Sequence, residues 1–149
     1  MPLYFAYGAN MDAAAMVARC PASRLIGQGR LHRHRFIVMR EGYASVVRDG
    51  RHTVWGVLWE LALADVPALD RYEGVAGGLY VKATQPVATP GGVKRALIYL
   101  GRSTAYGVPK PGYLEAVLAA GEAAQLPPAY LRELRGWRRG RPTGLSGHG

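Results

Sequence analysis

The stretch VWGVLWEL, residues 54–61, decides the interpretation of this chain's fold, because it is apolar on both faces of an extended conformation. A strand with that pattern is covered on both sides and lies at the centre of a sheet. The stretch is far shorter than the ~18 apolar residues that a membrane-spanning helix needs, and no other apolar run approaches that length. It therefore predicts a central strand in a globular domain.

Further strand signals lie on both sides of this segment and are separated by turn residues. Pro90-Gly91-Gly92 predicts a hairpin turn between the last two strands. The predicted flanking strands are residues 3–7, 24–26, 31–39, 44–47, 79–87 and 94–100.

Helices are predicted where a capping residue or proline precedes an apolar stripe at helical spacing. These helices, together with the five to seven predicted strands, predict an α+β fold. We expect a small, closed or nearly closed, mixed β-barrel with one inserted helix and C-terminal helices. The predicted helices are residues 13–19 after the cap Asp12, a segment capped by Asp65 that ends near Gly74, and two that begin after Pro111 and at Pro127-Pro128.

The chain of 149 residues carries a net charge of +9, and much of the excess lies at its C-terminal end. Residues 132–149 contain five arginines and one glutamate, a net charge of +4. We predict one domain over residues 1–137 and an Arg/Gly-rich disordered tail over residues 138–149. An Arg-rich tail can bind the phosphates of nucleic acid, but we favour a solubilising end because no nucleic-acid-binding fold is indicated.

The single cysteine and the N-terminal residues narrow the class of protein and its expected location. A single cysteine, Cys20, excludes an internal disulfide and a cysteine-based zinc site. Nothing at the N-terminus resembles a secretory signal, because the first basic residue is Arg19. We therefore expect a cytoplasmic protein that has no membrane partner. The sequence leaves the oligomeric state open, a homodimer included.

Glu73 is the strongest candidate for a residue that moves protons. With Val66 and Leu69 it shares one stripe of the predicted helix, so its carboxylate faces the core side. Burial, the negative end of the helix dipole and the nearby Asp70 would each raise its pKa. A glutamate of that kind suits general acid–base catalysis at neutral pH. The alternative is an ion pair with an arginine, or a side chain that turns to solvent.

The turn Tyr7-Gly8-Ala9-Asn10 joins a strand to the start of a helix. If Gly8 has a positive φ, successive N–H groups point into one concavity that binds a carboxylate or stabilises an oxyanion. The alternative is an ordinary turn in which Asn10 is a local cap. His32 and His34 alternate as metal ligands can, but arginines flank them, and we interpret them as a solvated strand face. No serine lies in a nucleophile-elbow pattern.

Four motifs together resemble the gamma-glutamylcyclotransferase-like family. LYFAYGANM at residues 3–11 is similar to the family's YFAYGSNM opening, and VWGVLW at 54–59 to its VWGV-W strand. LDRYEGV at 69–75, followed by Gly78-Leu79-Tyr80, resembles its LD--EGV---Y segment. Residues 111–127 are similar to its helical end. The four motifs occur in the family's order over about residues 3–137.

The resemblance implies a small mixed β-barrel that uses no metal or organic cofactor. Its small-molecule substrate would be a gamma-glutamyl amino acid or amine, cleaved by attack of its own α-amino group to release 5-oxoproline. Glu73 matches the family's catalytic acid/base, and Tyr113 matches a tyrosine of the substrate wall. The family's substrate-holding loop corresponds to Tyr4, Phe5, Ala6, Tyr7, Gly8 and Ala9, and Asn10 and Tyr80 are further candidates for substrate binding.

One residue departs from the family pattern: Ala9 stands where the family's loop has serine. The backbone donors survive this change, but a hydroxyl is lost. The leading hypothesis is a cyclotransferase. Two others stay open: a non-catalytic pocket for a small ligand on the same barrel, and a binder of anionic surfaces or nucleic acid through the Arg-rich end.

Overall fold

Five strands form a closed barrel in the computed structural model, which describes residues 2–142. The strand order around the barrel is β1-β3-β2-β4-β5. All neighbours pair antiparallel except β1 and β5, which pair parallel at Tyr4 and Leu97, so the predicted mixed barrel is confirmed. The strands are β1 (Leu3–Ala6), β2 (Arg24–Val38), β3 (Ala44–Glu60), β4 (Tyr80–Thr89) and β5 (Gly92–Gly101).

Strands β2 and β3 are longer than the sequence predicted. The expected break at Gly27 and Gly29 is a bulge within one strand, with the register shifting between Leu25 and Gly27. The expected gap between residues 47 and 54 is also part of a strand, since β3 extends from Ala44 to Glu60. Residues 49–52 have no partner on β2, however, because His32 pairs with Thr53 and His34 pairs with Arg48. Pairing on both sides of these irregularities therefore joins the predicted segments into two long strands.

A second bulge corrects the interpretation of the histidines on β2. Arg33 has φ 61° and lies between His32 and His34, where the register shifts again. His32 consequently stays exposed while His34 is only 7% exposed. Arg35 is buried too, and its Nε donates to the Asp49 carboxylate at 3.1 Å. This segment is therefore not a uniformly solvated face.

The four predicted helices are present as α1 (Ala13–Arg19), α2 (Val66–Tyr72), α3 (Tyr113–Ala123) and α4 (Pro128–Arg135). Asp12 caps α1 as predicted, accepting from the N–H groups of Ala14 and Ala15. The cap predicted for Asp65 is wrong: a 3₁₀ turn over Leu63–Asp65 gives Asp65 a helical backbone. Its side chain accepts from elsewhere, the Ala22 N–H and the Ser23 hydroxyl.

The hydrophobic core fills the barrel and continues to α3 and α4, whose inner faces bury Leu114, Val117 and Leu134. After α4 the chain forms turns, and the Arg141 guanidinium lies 5.3 Å from the centre of the Tyr106 ring. Residues 143–149 of the predicted tail lie outside the described residues, and the division at residue 137 stays a prediction. Within residues 2–142, every helix is too short or too polar to span a bilayer.

Candidate active site

A cavity of about 230 Å³ opens where the end of β1 meets the end of α2. Most of its wall is aromatic, and Glu73 supplies a carboxylate. The lining residues come from β1 and the turn after it (Tyr4, Tyr7, Gly8, Ala9, Asn10), from the start of β3 (Tyr43, Ala44), from the end of α2 (Tyr72, Glu73), and from Leu79, Tyr80, Tyr99 and Tyr113.

Helix α2 ends so that Glu73 faces this cavity. The last helical residue is Tyr72, and the Glu73 N–H still donates to the Leu69 carbonyl at 3.0 Å. Gly74 has φ 64°, the left-handed conformation that ends many helices and that glycine adopts without strain. Leu69 on the same stripe is fully buried, so α2 is anchored in the core one turn before the carboxylate.

Burial raises the pKa of the Glu73 carboxyl to about 7, against the opposing effects of the Arg19 charge and a hydrogen bond from Tyr4. The expected contribution of Asp70 is not borne out. The Asp70 carboxylate accepts from the Tyr99 hydroxyl at 2.6 Å and from Lys82 Nζ at 3.1 Å, which places its charge in a separate network. Glu73 can therefore exchange a proton near neutral pH.

The turn after β1 differs from the prediction in its backbone. Gly8 has φ −121°, not a positive φ. Glycine is needed there for space, because a Cβ atom would lie 2.9 Å from the Tyr113 hydroxyl. Within residues 2–142, the N–H groups of Gly8, Ala9 and Asn10 donate to no backbone carbonyl. The Ala9 N–H donates to the Tyr113 hydroxyl, at the start of a 3₁₀ turn over Ala9–Met11, and the convergence of successive N–H groups on one concavity stays a prediction.

Asn10 has a larger part than the local cap considered above. Its Nδ2 donates to Glu73 Oε1 at 3.2 Å and to the Tyr4 hydroxyl at 3.1 Å. Its Oδ1 accepts from Arg19 Nη1, and its backbone carbonyl accepts from Trp59 Nε1 at 3.1 Å. Asn10 thus ties the turn to α1, to β3 and to the carboxylate.

The tyrosines around the cavity are fixed and neutral. The Tyr7 hydroxyl donates to the Tyr99 carbonyl at 2.5 Å, and the Tyr80 hydroxyl donates to the Ala44 carbonyl. The Tyr113 hydroxyl accepts from the Ala44 N–H at 3.2 Å. Burial raises the pKa of each of these three side chains. They therefore stay protonated at neutral pH and present hydrogen-bonding groups without charge.

The structure brings eight of the ten predicted site residues to the cavity. Phe5 and Ala6 are the exceptions, since both are buried away from it and the Phe5 ring packs beside Gly56. Sequence reasoning missed Arg19 and several of the lining residues. Tyr72 had a detectable signal, its position next to Glu73, whereas nothing in the sequence marks the others. The missed lining residues are Tyr43, Ala44, Tyr72, Leu79 and Tyr99.

No group of three or more potential metal ligands occurs among the residues that the structure describes. The side chains at the cavity are instead suited to hydrogen bonding and to the transfer of one proton.

Comparison with known proteins identifies the family. The model of the AIG2-like family matches residues 53–134, more than half of the chain. The chain belongs to the AIG2-like family. Human gamma-glutamylcyclotransferase is 27% identical over 144 residues, covering 89% of this chain and 77% of the human protein. The mouse protein of the same name is 28% identical over the same shares.

A solved structure of a gamma-glutamyl cyclotransferase superposes with a TM-score of 0.82 at 26% identity. The alignment covers 98% of this chain and 91% of that one. The predicted membership of the gamma-glutamylcyclotransferase-like family is therefore confirmed, and with it the prediction that the chain is an enzyme of that class.

Proposed function

We propose that this AIG2-like protein cleaves a gamma-glutamyl amino acid or amine by intramolecular cyclisation and releases 5-oxoproline. One observation carries the proposal: a carboxyl group with a pKa of about 7, Glu73, shares a cavity with the turn after β1, whose Gly8, Ala9 and Asn10 N–H groups bond to no backbone carbonyl within residues 2–142. The first feature supplies a proton acceptor and donor, and the second supplies donors for a developing negative charge.

The reaction begins at the substrate's α-ammonium group, which the ionised Glu73 deprotonates. The freed amine attacks the γ-carbonyl carbon, a new C–N bond closes the five-membered ring, and the carbonyl oxygen becomes negative. The protonated Glu73 then gives its proton to the leaving nitrogen, and the carbonyl re-forms as the bond from that nitrogen to the γ-carbon breaks. The ring nitrogen still carries one extra proton, which passes to Glu73 and from there to the released amine, so that Glu73 is ionised again. Each product atom comes from the substrate, so the reaction needs no protein nucleophile.

Three features of the cavity support these steps. General acid–base catalysis by Glu73 is worth ~10²–10⁴-fold, and one well-placed donor to the oxyanion ~10²–10³-fold. The Tyr113 hydroxyl lies beside Gly8, where it narrows the space available to an extended chain. Curling the substrate so that its amine meets its carbonyl can give an effective molarity of ~10⁵ M or more.

The test is the variant Glu73→Gln, which keeps the shape and the hydrogen-bonding capacity of the side chain but cannot accept a proton. We expect 5-oxoproline release to fall ~10²–10⁴-fold while the thermal melting curve keeps its cooperativity. The substrates are glutathione and panels of gamma-glutamyl amino acids and gamma-glutamyl amines. Glu115→Gln, on the exposed surface of α3, removes the same charge and serves as the control.

Turnover that is unchanged in Glu73→Gln would contradict the acid/base role. Saturable binding of these compounds without any product would favour a non-catalytic pocket on the same barrel. The cytoplasmic location, the small-molecule partner and the homodimer stay predictions, as does the absence of nucleic-acid binding. Removing residues 138–149 tests the last of these: the truncation should leave cyclisation intact and abolish any binding to nucleic acid that the full chain shows.

A further inference from the structure

Arg19 is the last residue of α1, and its side chain leaves the helix toward the cavity network. Its Nη1 donates to Asn10 Oδ1, and its guanidinium carbon lies 3.4 Å from the centre of the Tyr72 ring. Helix α1 holds it firmly, because Met16 is fully buried one turn earlier and Asp12 caps the first turn. Arg19 is therefore fixed between two groups that line the cavity.

Arg19 does not pair directly with Glu73. Among residues 2–142, no ion pair within 4.0 Å joins the two side chains. Asn10 lies between them and contacts each through a different atom of its amide. The charge of Arg19 acts on Glu73 through space. An effect of Arg19 that is carried by hydrogen bonds must pass through the amide of Asn10.

The chemistry of the three groups fixes the direction of that amide. A guanidinium has five N–H donors and no acceptor, so it can bond only to the carbonyl oxygen of an amide. With Oδ1 held by Arg19, the amide must present its NH₂ group to Glu73 and Tyr4. An amide rotated by 180° would place an N–H against the guanidinium and an oxygen against the carboxylate, which are two repulsive contacts.

We propose that Arg19 is a positioning residue that locks the Asn10 side chain so that its NH₂ group faces Glu73, an inference that rests on the proposed function of Glu73. An amide NH₂ group donates to a carboxylate but cannot accept from a carboxylic acid. The lock therefore favours the ionised form of Glu73, which the first proton transfer needs. It offsets part of the burial that favours the protonated form.

The other groups that face Glu73 are neutral. Tyrosine hydroxyls interact with its carboxylate from β1 (Tyr4, Tyr7), α2 (Tyr72), β4 (Tyr80), β5 (Tyr99) and α3 (Tyr113). Burial raises the pKa of each of them, so none changes charge near neutral pH. Among these groups, Arg19 is the one with a permanent charge.

The experiment is a direct titration of the Glu73 carboxyl by ¹³C NMR in glutamate-labelled protein, with the signal assigned by its loss in Glu73→Gln. Arg19→Met removes the donors and keeps the apolar stem. We expect it to move the titration midpoint upward by about half a pH unit or more. Arg19→Lys keeps a donor and the charge, so its titration midpoint should lie between those of the natural protein and Arg19→Met.

Arg24→Met is the matched control. Arg24 lies at the start of β2, its side chain is 70% exposed, and it pairs with Glu60 rather than with the cavity. Its loss removes the same charge and should leave the midpoint of Glu73 unchanged. An unchanged midpoint in Arg19→Met overturns the proposal. If Arg19→Met does not fold, Arg19→Leu, which also lacks a donor, is titrated in its place, with the same two outcomes.

A double-mutant cycle separates orientation from bulk charge. In an Asn10→Ala background, Arg19→Met should shift the midpoint less than it does in the natural sequence. Equal shifts in the two backgrounds would overturn the positioning role. The NMR midpoint does not depend on turnover, so it tests Arg19 even if Glu73→Gln retains activity. Where turnover is present, the acid limb of kcat/KM should move upward with the midpoint.

Discussion

Helix α2 has a carboxylate at each end, and the two are held in different ways. Asp65, before the first turn, is 6% exposed and accepts from the Ala22 N–H at 3.0 Å and the Ser23 hydroxyl at 2.8 Å. Glu73, after the last turn, faces a cavity and has one amide and one tyrosine hydroxyl as partners. The carboxylate with short local donors joins two segments of the chain. The one with fewer donors keeps an exchangeable proton.

The two carboxylates differ in the hydrogen bonds that replace those lost to water on burial. Asp65 receives hydrogen bonds from groups that are themselves fixed, since the Ser23 hydroxyl also accepts from the Ala62 N–H at 3.0 Å. Hydrogen bonds of this kind stabilise the fold. Glu73 loses water to the surrounding tyrosines without equivalent replacement, which raises its pKa. A carboxylate held by hydrogen bonds and a carboxyl group with an exchangeable proton can thus flank the same short helix.

The largest effect that we expect to separate the two carboxylates is a pH dependence of the free energy of unfolding, caused by the titration of Glu73. The folded pKa of about 7 lies above the ordinary value of 4.5, so folding holds a proton that the unfolded chain releases. The stabilisation is complete below pH 4.5 and is lost as the pH rises to about 7. We expect the free energy of unfolding to fall by about 1–3 kcal/mol across this window.

Urea titrations of the natural protein and of Glu73→Gln at several pH values measure this effect. The variant has no proton to lose at this position, so the difference between the two proteins should grow from pH 4 to pH 8. Other titrating groups are common to both proteins and cancel in the difference. Parallel stability curves would show that Glu73 titrates normally in the fold.

A smaller effect is expected at the other end of the helix. Asp65→Ala leaves the Ala22 N–H and the Ser23 hydroxyl without their partner, and we expect a loss of about 2 kcal/mol in unfolding free energy. Turnover per folded molecule should be unchanged, because Asp65 does not line the cavity. Asp12→Ala, which removes an exposed cap from α1, is the control and should cost about 1 kcal/mol. A loss of turnover without a loss of stability would reverse the roles assigned to the two carboxylates.

The smallest effect concerns the donors opposite Glu73. Ala9→Ser restores the hydroxyl that the family's loop carries, next to N–H groups that bond to no backbone carbonyl within residues 2–142. We expect kcat/KM to change less than about tenfold, because a hydroxyl adds one donor to an existing set. Steady-state kinetics over the substrate panel measures this change. A gain of several orders of magnitude would mean that the backbone donors alone do not stabilise the oxyanion.

Local signals in the sequence were sufficient for the parts of the fold that they control directly. The apolar stretch at residues 54–61 lies in a central strand, and prolines begin α3 and α4 as predicted. The continuity of β2 and β3 was not predictable, because it depends on pairing between distant residues on both sides of the unpaired segment 49–52. The bulge at Arg33 likewise depends on the partner strand and not on the residues around it.

The candidate site divides in the same way. Helical spacing was sufficient to predict that Glu73 faces inward, and the motif LYFAYGANM indicated the turn opposite it. Arg19 was missed because its contact with Asn10 requires the end of α1 to return to the turn that precedes it. Asp70 was misjudged because its partners, Tyr99 and Lys82, come from strands that follow it in the sequence. Side-chain partners of this kind are set by tertiary packing.

The seam of the barrel is where its first and last strands meet, at Tyr4 and Leu97. The turn that holds Asn10 follows directly from β1, and Tyr99 of β5 stands beside the same cavity. A nascent chain that ends before β5 therefore contains Glu73 and the turn but lacks Tyr99 and Tyr113, two residues of the cavity wall. The cavity is complete only after β5 has closed the barrel and α3 has followed it. If the proposed function is correct, shorter chains of this protein are expected to be inert toward substrate.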